Sequence, residues 1–249
     1  MRILLIRHAE PDYNIDSLTA KGRVEAELLA RRLEKRPIRD VYVSPLGRAQ
    51  ATADYYLRRT GKTAETLPWL KEFKGMIPDP ETGMPRIAWD MKPRIWTAIE
   101  SANDAAKWMD SPALQGMDMR RVWQETVDGT DQLMAGYGFR KDGPVWKCSD
   151  NTDDTIALFC HFGIAMAVAG YLTDLSPMLL WHRTLMLPSS VTELVTEERI
   201  RGEAAFRMIR MGDLSHLDAN GEVPSTAGLY PMQYNGIDST DPGINGTRF

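Results

Sequence analysis

The sequence predicts an α/β fold built on a parallel sheet. Three observations carry this prediction: short apolar runs of strand length, amphipathic helical spacing directly after them, and repetition of that unit within the first 60 residues. The run Ile3-Leu4-Leu5-Ile6 reads as a strand buried on both faces. It stops at Arg7-His8, a pair poorly placed for packing. The same pair is well placed for chemistry, because open α/β sheets bind ligands beyond the carboxyl ends of their strands. A charged cap on a core strand and a functional site are both open readings of this dipeptide.

The next elements follow in order. Ser17 to Gly22 reads as a loop entering a helix from about Thr19 to Lys35, with Val24, Leu28, Leu29 and Leu33 on one face. Val41-Tyr42-Val43-Ser44 is a second short strand. Pro45 suits a helix start, and a helix from about Leu46 to Arg59 ends before Gly61. After Leu67 the pattern changes. Lys71 to Gly83 is rich in Gly and Pro, and Trp89, Trp96, Trp108 and Trp123 follow among helix-like segments near Thr97–Trp108 and Met119–Gly136. Residues 73–150 show no strand pattern and read as an inserted, mainly helical lid whose tryptophans either line a cleft or fill a small core. The sheet pattern resumes at Thr155 to Cys160, followed by His161-Phe162-Gly163 and an apolar helix from Ile164 to Leu172. Val191 to Val195 is a strand, and Ala205 to Arg210 alternates with period two as an edge strand or hairpin partner. From Gly212 onward no periodicity remains. The expected organisation is one α/β domain over 1–212 and a polar C-terminal extension over 213–249.

Bulk composition narrows the function classes. With 43% hydrophobic and 26% charged residues and a net charge of -4, the chain reads as a soluble globular protein with no global field for nucleic acid. No apolar stretch is long enough for a membrane span, and no secretory signal pattern precedes Arg7. The expected location is the cytoplasm. Of the two cysteines, Cys160 lies in an apolar run and reads as a small buried hydrophobe rather than half of a disulfide.

Two strands end in histidine, His8 and His161, and would converge if the strands are neighbours in a parallel sheet. A metal is the first alternative to test. With four histidines in the chain, no close pair among them and no cysteine at ligand spacing, a metal centre is not expected. An anion site suits the residues better. Arg48, one turn after Ser44-Pro45, would bring a forked donor matched to phosphoryl oxygens, or it is a solvated helix arginine. Arg7, Arg48 and two histidines around one cleft would bind a dianionic phosphate, and one imidazole would be able to attack phosphorus.

Arg7-His8-Ala9-Glu10 with Asn14, Leu18-Thr19-Ala20-Lys21-Gly22-Arg23, and Ser44-Pro45-Leu46-Gly47-Arg48-Ala49 together resemble the histidine phosphatase superfamily, also called phosphoglycerate mutase-like. The resemblance is strong over residues 1–60 and resumes over about 153–172. It implies a three-layer α/β/α sandwich with a mostly parallel central sheet and a helical insertion. It implies His8 as a nucleophile forming phosphohistidine, with Arg7, Arg48 and His161 holding the phosphoryl group and Asn14 adding a contact. It also implies a carboxylic acid that protonates the leaving oxygen, best matched by Glu72 in Leu70-Lys71-Glu72-Phe73-Lys74-Gly75. A carboxyl beside apolar surroundings and anionic phosphate should hold its proton. No metal or organic cofactor is implied.

Departures from the family pattern bear on the substrate. Ala9 replaces a commoner glycine, and Phe162 stands where glycine is frequent, so that it would narrow the pocket or shield the phosphate. A mutase would need a grip on a second anionic group, for which Arg86, Lys92 and Arg94 are the candidates. The sequence after Glu72 lacks the family mutases' tyrosine-glycine stretch, so a phosphatase for a small phosphomonoester is the expected function, and a homodimer is compatible with it. A mutase and an inactive interaction module are the alternatives.

Overall fold

The computed structural model describes residues 1–149 and 152–233. In chain order, β1 (Arg2–Arg7), the small hairpin β2 (Pro11–Asp12) and β3 (Ser17–Leu18), α1 (Ala20–Leu33), β4 (Ile38–Val43), α2 (Gly47–Thr60) and β5 (Glu65–Thr66) form the first half. The middle region holds β6 (Met76–Pro78), β7 (Pro85–Ile87), α3 (Pro93–Trp96), α4 (Met119–Ala135), β8 (Phe139–Asp142) and β9 (Val145–Cys148). The chain then runs through β10 (Thr155–Cys160), α5 (Phe162–Thr173), α6 (Pro177–Arg183), β11 (Val191–Ile200), β12 (Glu203–Asp213) and α7 (Ser215–Asp218).

Eight strands form one sheet in the order β5-β4-β10-β1-β11-β12-β9-β8. Pairing is parallel from β5 to β1, and antiparallel from β1 through β8. Strand alternation sorts the side chains into two layers. Leu4, Ile6, Ala157 and Phe159 pack with Leu29 and Leu33 of α1 and Ala53 and Tyr56 of α2. Ile3, Leu5, Ile156, Leu158 and Cys160 face the other way, toward α5. Every residue of β10 is buried, which explains its unbroken apolar run. Helix α5 is buried nearly all round, so its sequence is apolar without a polar stripe. This is the three-layer α/β/α architecture. Cys148 and Cys160 are both buried and neither is in a disulfide.

Thr19 caps α1, its Oγ1 accepting from the Gly22 N–H at 2.9 Å. Helix α2 starts where Gly47 packs against the β2–β3 hairpin. A Cβ there would lie 2.2 Å from the Asp16 carbonyl oxygen, so only glycine allows the approach.

Three expectations are corrected. Residues 73–150 do contain strands: β6–β7 is a local hairpin, and β8–β9 joins the central sheet. These strands are three or four residues long, below the length at which periodicity is visible. The Asp142-Gly143 turn, with Gly143 at φ +61°, was the available signal. Thr97–Trp108 is not a helix but a set of 3-10 turns over Glu100–Asn103 and Trp108–Asp110. Asp104 breaks it, its Oδ1 accepting from the Ala106 and Lys107 N–H groups. Finally, the segment after β12 is packed on the domain as far as Tyr230, whose hydroxyl donates to Asp90. Helix α7 buries Leu217, and Ser225 is buried against Glu10 and Glu25. Residue 150 of the expected insertion and residues 234–249 of the expected extension lie outside the described residues. Among the described residues, no helix is long and apolar enough to cross a membrane.

Candidate active site

The parallel register of β1 with β10 sets Arg7 opposite Cys160, and the His8 N–H donates to the Cys160 carbonyl at 2.9 Å. The residues that follow each strand are therefore neighbours. The His8 and His161 rings lie 5.1 Å apart. β4 contributes the third corner, because the Ser44 N–H donates to the Phe159 carbonyl at 2.9 Å, bringing Ser44 and the start of α2 to the same sheet end.

His8 is buried, with Nδ1 2.8 Å from the Ala9 carbonyl oxygen. A carbonyl only accepts, so Nδ1 carries the proton and Nε2 keeps its lone pair. Arg48 Nε donates toward that Nε2 at 3.4 Å. Burial, followed by the Arg7 and Arg48 charges, holds His8 well below the ordinary histidine range. It is neutral at pH 7, the state a nucleophile requires. His161 is neutral for the same leading cause, burial, reinforced by His8 and the two arginines. Its Nε2 meets Ser44 Oγ at 2.7 Å.

The arginines are held by different means. Arg48 Nη1 is paired with Asp16 Oδ1 at 2.7 Å, while Asp16 Oδ2 accepts the Gly47 N–H at 2.7 Å. Asp16 adopts φ +45° to reach both. The Tyr13 ring lies 5.4 Å from the same guanidinium. Arg7 donates to the Met186 carbonyl and, at 3.4 Å, to the Ala227 carbonyl of the C-terminal segment. Arg7 Nε and His161 Nδ1 are buried with no hydrogen-bond partner among the described residues. An unsatisfied buried donor costs about 1–3 kcal/mol, and the open Arg7 Nε, together with the Arg48 guanidinium beside His8, suits an oxyanion.

Glu72 is buried at the other side of the cleft. Its Oε1 accepts from the Phe73 N–H at 2.7 Å and the Ile164 N–H at 3.0 Å. Burial raises its pKa against the pull of those bonds and of Arg48 and Arg7. Gly163 makes the arrangement feasible: a Cβ there would lie 2.5 Å from Trp89 Nε1 and 2.8 Å from Glu72 Oε1.

A cleft of about 360 Å3 is lined by Arg7, His8, Arg48, Glu72 and Phe162 among others. His161 sits against His8 outside that lining. Of the other expected site residues, Lys92 lines the cleft and the rest are elsewhere. Asn14 is exposed, its N–H bonded to Asp12 Oδ1 at 3.0 Å. Arg86 is buried in an ion pair with Asp79, and Arg94 is exposed and paired with Glu81. Both tryptophan readings hold in part: Trp108 and Trp123 pack edge to face at 4.8 Å in the core, whereas Trp89 and Trp96 line the cleft. Sequence reasoning missed Tyr13, Asp16, Ser44 and Tyr230. Ser44 was readable, since it ends a strand beside the arginine motif; Tyr230 reaches the cleft only through the fold. Among the described residues no three His, Cys, Asp or Glu side chains converge as metal ligands would.

The profile of the histidine phosphatase superfamily (branch 1) matches residues 3–204, and the chain belongs to that superfamily. A search of curated proteins found no match. Among solved structures, the fold resembles an Entamoeba histolytica phosphoserine phosphatase mutant bound to phosphoserine, with 19% identity and a TM-score of 0.55 over 87% of this chain and 98% of that one. It also resembles a mycobacterial glucosyl-3-phosphoglycerate phosphatase with inorganic phosphate, at 24% identity and a TM-score of 0.55 over 86% of this chain and 98% of that one. At these identities the likeness concerns the fold.

Proposed function

We propose that this enzyme hydrolyses small phosphomonoesters in the cytoplasm through a phosphohistidine on His8. The observation that carries the reading is the His8 Nδ1 contact to the Ala9 carbonyl, which leaves a neutral Nε2 beside the Arg48 guanidinium. In the first step Nε2 attacks phosphorus, the P–O ester bond breaks, and Glu72 gives its proton to the departing alkoxide. In the second, water attacks the phosphohistidine, Glu72 carboxylate takes the water proton, and the N–P bond breaks to release inorganic phosphate. The Arg7 and Arg48 charges, with a hydrogen bond from the neutral His161 ring, stabilise the charge that develops on the equatorial oxygens. Two guanidinium charges balance a dianionic phosphoryl group with no metal in the scheme.

Hydrolysis is favoured over mutase-type transfer because Arg86, Lys92 and Arg94, the expected grips on a second anionic group, are engaged by Asp79 and Glu81. Phosphate release from a panel of alkyl, sugar, glycerate and aryl phosphates tests the reading. Wild-type enzyme should release phosphate and His8→Asn should not. Equal release by both, or transfer between hydroxyls of a phosphoglycerate outpacing release to water, would overturn it.

A further inference from the structure

We propose that the aromatic part of the cleft is a leaving-group site for an uncharged aromatic alcohol, making the substrate class an arylalkyl phosphomonoester; this deepens, and rests on, the phosphatase reading above. Four large rings, Trp89, Trp96, Phe162 and Trp181, line the cleft that holds His8 and Glu72. Trp89 and Phe162 meet edge to face, with ring centres 5.7 Å apart, an arrangement that leaves aromatic surface for a further ring. The polar atoms of two of these walls are spent on main chain. Trp89 Nε1 donates to the Phe73 carbonyl at 2.6 Å, and Trp181 Nε1 to the Gly163 carbonyl at 2.9 Å. What they offer a ligand is therefore apolar ring rather than an N–H donor.

His182, Lys92 and Asp90 of the same lining are also engaged with protein partners. His182 stacks on Trp96 at 5.2 Å, its Nδ1 bonds the Met178 carbonyl at 2.8 Å, and its Nε2 accepts the Met91 N–H at 3.3 Å. Burial pushes its pKa down to about 4, so it brings no positive charge at pH 7. Lys92 Nζ is paired with Glu81 at 2.7 Å, and Asp90 accepts from the Tyr230 hydroxyl at 2.8 Å. Arg183 lies over the Trp96 ring at 4.5 Å but is not among the lining residues. A glycerate or serine leaving group would bring a carboxylate to a wall whose lysine already engages Glu81 and which carries the Asp90 carboxylate. A sugar would bring hydroxyls to the Trp89 and Trp181 rings, whose N–H groups are already spent, and to the Phe162 ring, which has none. An aromatic alcohol avoids both costs.

The test compares 2-phenylethyl phosphate with 3-phosphoglycerate, phosphoserine and glucose 6-phosphate, all of which leave as alkoxides and so make similar demands on Glu72. Two readouts are used: kcat/KM from phosphate release by the wild type, and equilibrium binding to unreactive His8→Asn. Burying one ring should favour phenylethyl phosphate by about 10- to 100-fold in each. Trp96→Leu should cut that ratio several-fold, and the ratio is unaffected by how much of the variant is folded. Binding of phosphoglycerate, phosphoserine or the sugar phosphate to His8→Asn as tightly as phenylethyl phosphate would overturn the inference, whatever the turnover. Selective binding of phenylethyl phosphate with no phosphate release by the wild type would instead sustain this inference and sink the hydrolytic step.

Discussion

Glu72 Oε1 accepts the main-chain N–H of Ile164 at 3.0 Å, so the candidate acid is anchored to the helix that His161 caps. The same oxygen accepts the Phe73 N–H at 2.7 Å. Two donors on one oxygen draw negative charge there and leave the proton on Oε2, the atom that must face the leaving group.

Replacing Glu72 with Gln removes the proton but keeps an acceptor for those two N–H groups. We expect kcat/KM for an alkyl phosphate to fall by roughly 10²- to 10⁴-fold, and for a nitrophenyl ester, whose leaving group needs no proton, by far less. Because burial raises the Glu72 pKa, the active acid form persists above the ordinary carboxyl range and is lost as pH rises through the raised value. A pH–rate profile should show that alkaline limb in the wild type and not in E72Q. A limb that survives in E72Q would assign it to another group.

Gly163→Ala tests the packing behind the acid. Its Cβ would collide with Trp89 Nε1 and Glu72 Oε1, neither of which is the far end of a loose side chain. Overpacking of this kind costs about 1–3 kcal/mol. Chemical denaturation should show that loss, and turnover of the folded fraction should fall with it. An unchanged denaturation midpoint would mean the helix start yields.

The parts of this site that were readable from sequence are those written locally. Arg7-His8, Ser44 to Arg48 and Thr155 to His161 each combine a short strand with the polar residues just beyond it, and the parallel register then brings them together. Glu72 was identifiable by its resemblance to a family pattern, not by its own surroundings. What was not legible depends on contacts far apart in sequence. Asp16 serves Arg48 from a loop whose geometry needs φ +45°, and the segment from Ser225 to Tyr230 packs on residues 140 to 220 positions earlier. Its polar composition resembles a tail because its partners, Glu10, Glu25 and Asp90, are polar too. The β8–β9 hairpin was missed because four-residue strands carry too little periodicity.

Asp16→Ala should weaken catalysis more than stability. Asp16 is 44% exposed, so its pair with Arg48 adds at most about 1 kcal/mol. Misplacing Arg48 relative to His8 Nε2 should lower kcat/KM by up to about 10²-fold. Kinetics and a thermal midpoint on the same preparation separate the two effects. A large drop in the midpoint with normal kinetics would make Asp16 structural only.

Glu25 makes stability depend on pH with an inverted sign for a carboxylate. Buried against Glu10 and Ser225, it accepts their N–H groups at 2.8 and 3.1 Å, and burial pushes its pKa up to about 7. Between the unfolded value near 4.5 and about 7 the folded state holds the proton that the unfolded chain has released. Its contribution is therefore full below that window and declines by up to about 3 kcal/mol as pH rises through it. His182 and His216, each pushed down to about 4 by burial, act oppositely as pH falls below the ordinary histidine range. The difference in stability between wild type and Glu25→Gln isolates the carboxyl. It should shift toward the variant from about pH 5 to 7 and then level off; a pH-independent difference would contradict this.

In the proposed reaction His8 carries the phosphoryl group. Enzyme mixed with a ³²P-labelled phosphomonoester and quenched in alkaline denaturant, where phosphohistidine survives, should yield label on the peptide containing His8 and none in His8→Asn. Phosphate release by wild-type enzyme with no labelled peptide at any quench time, or label on a residue other than His8, would contradict the account.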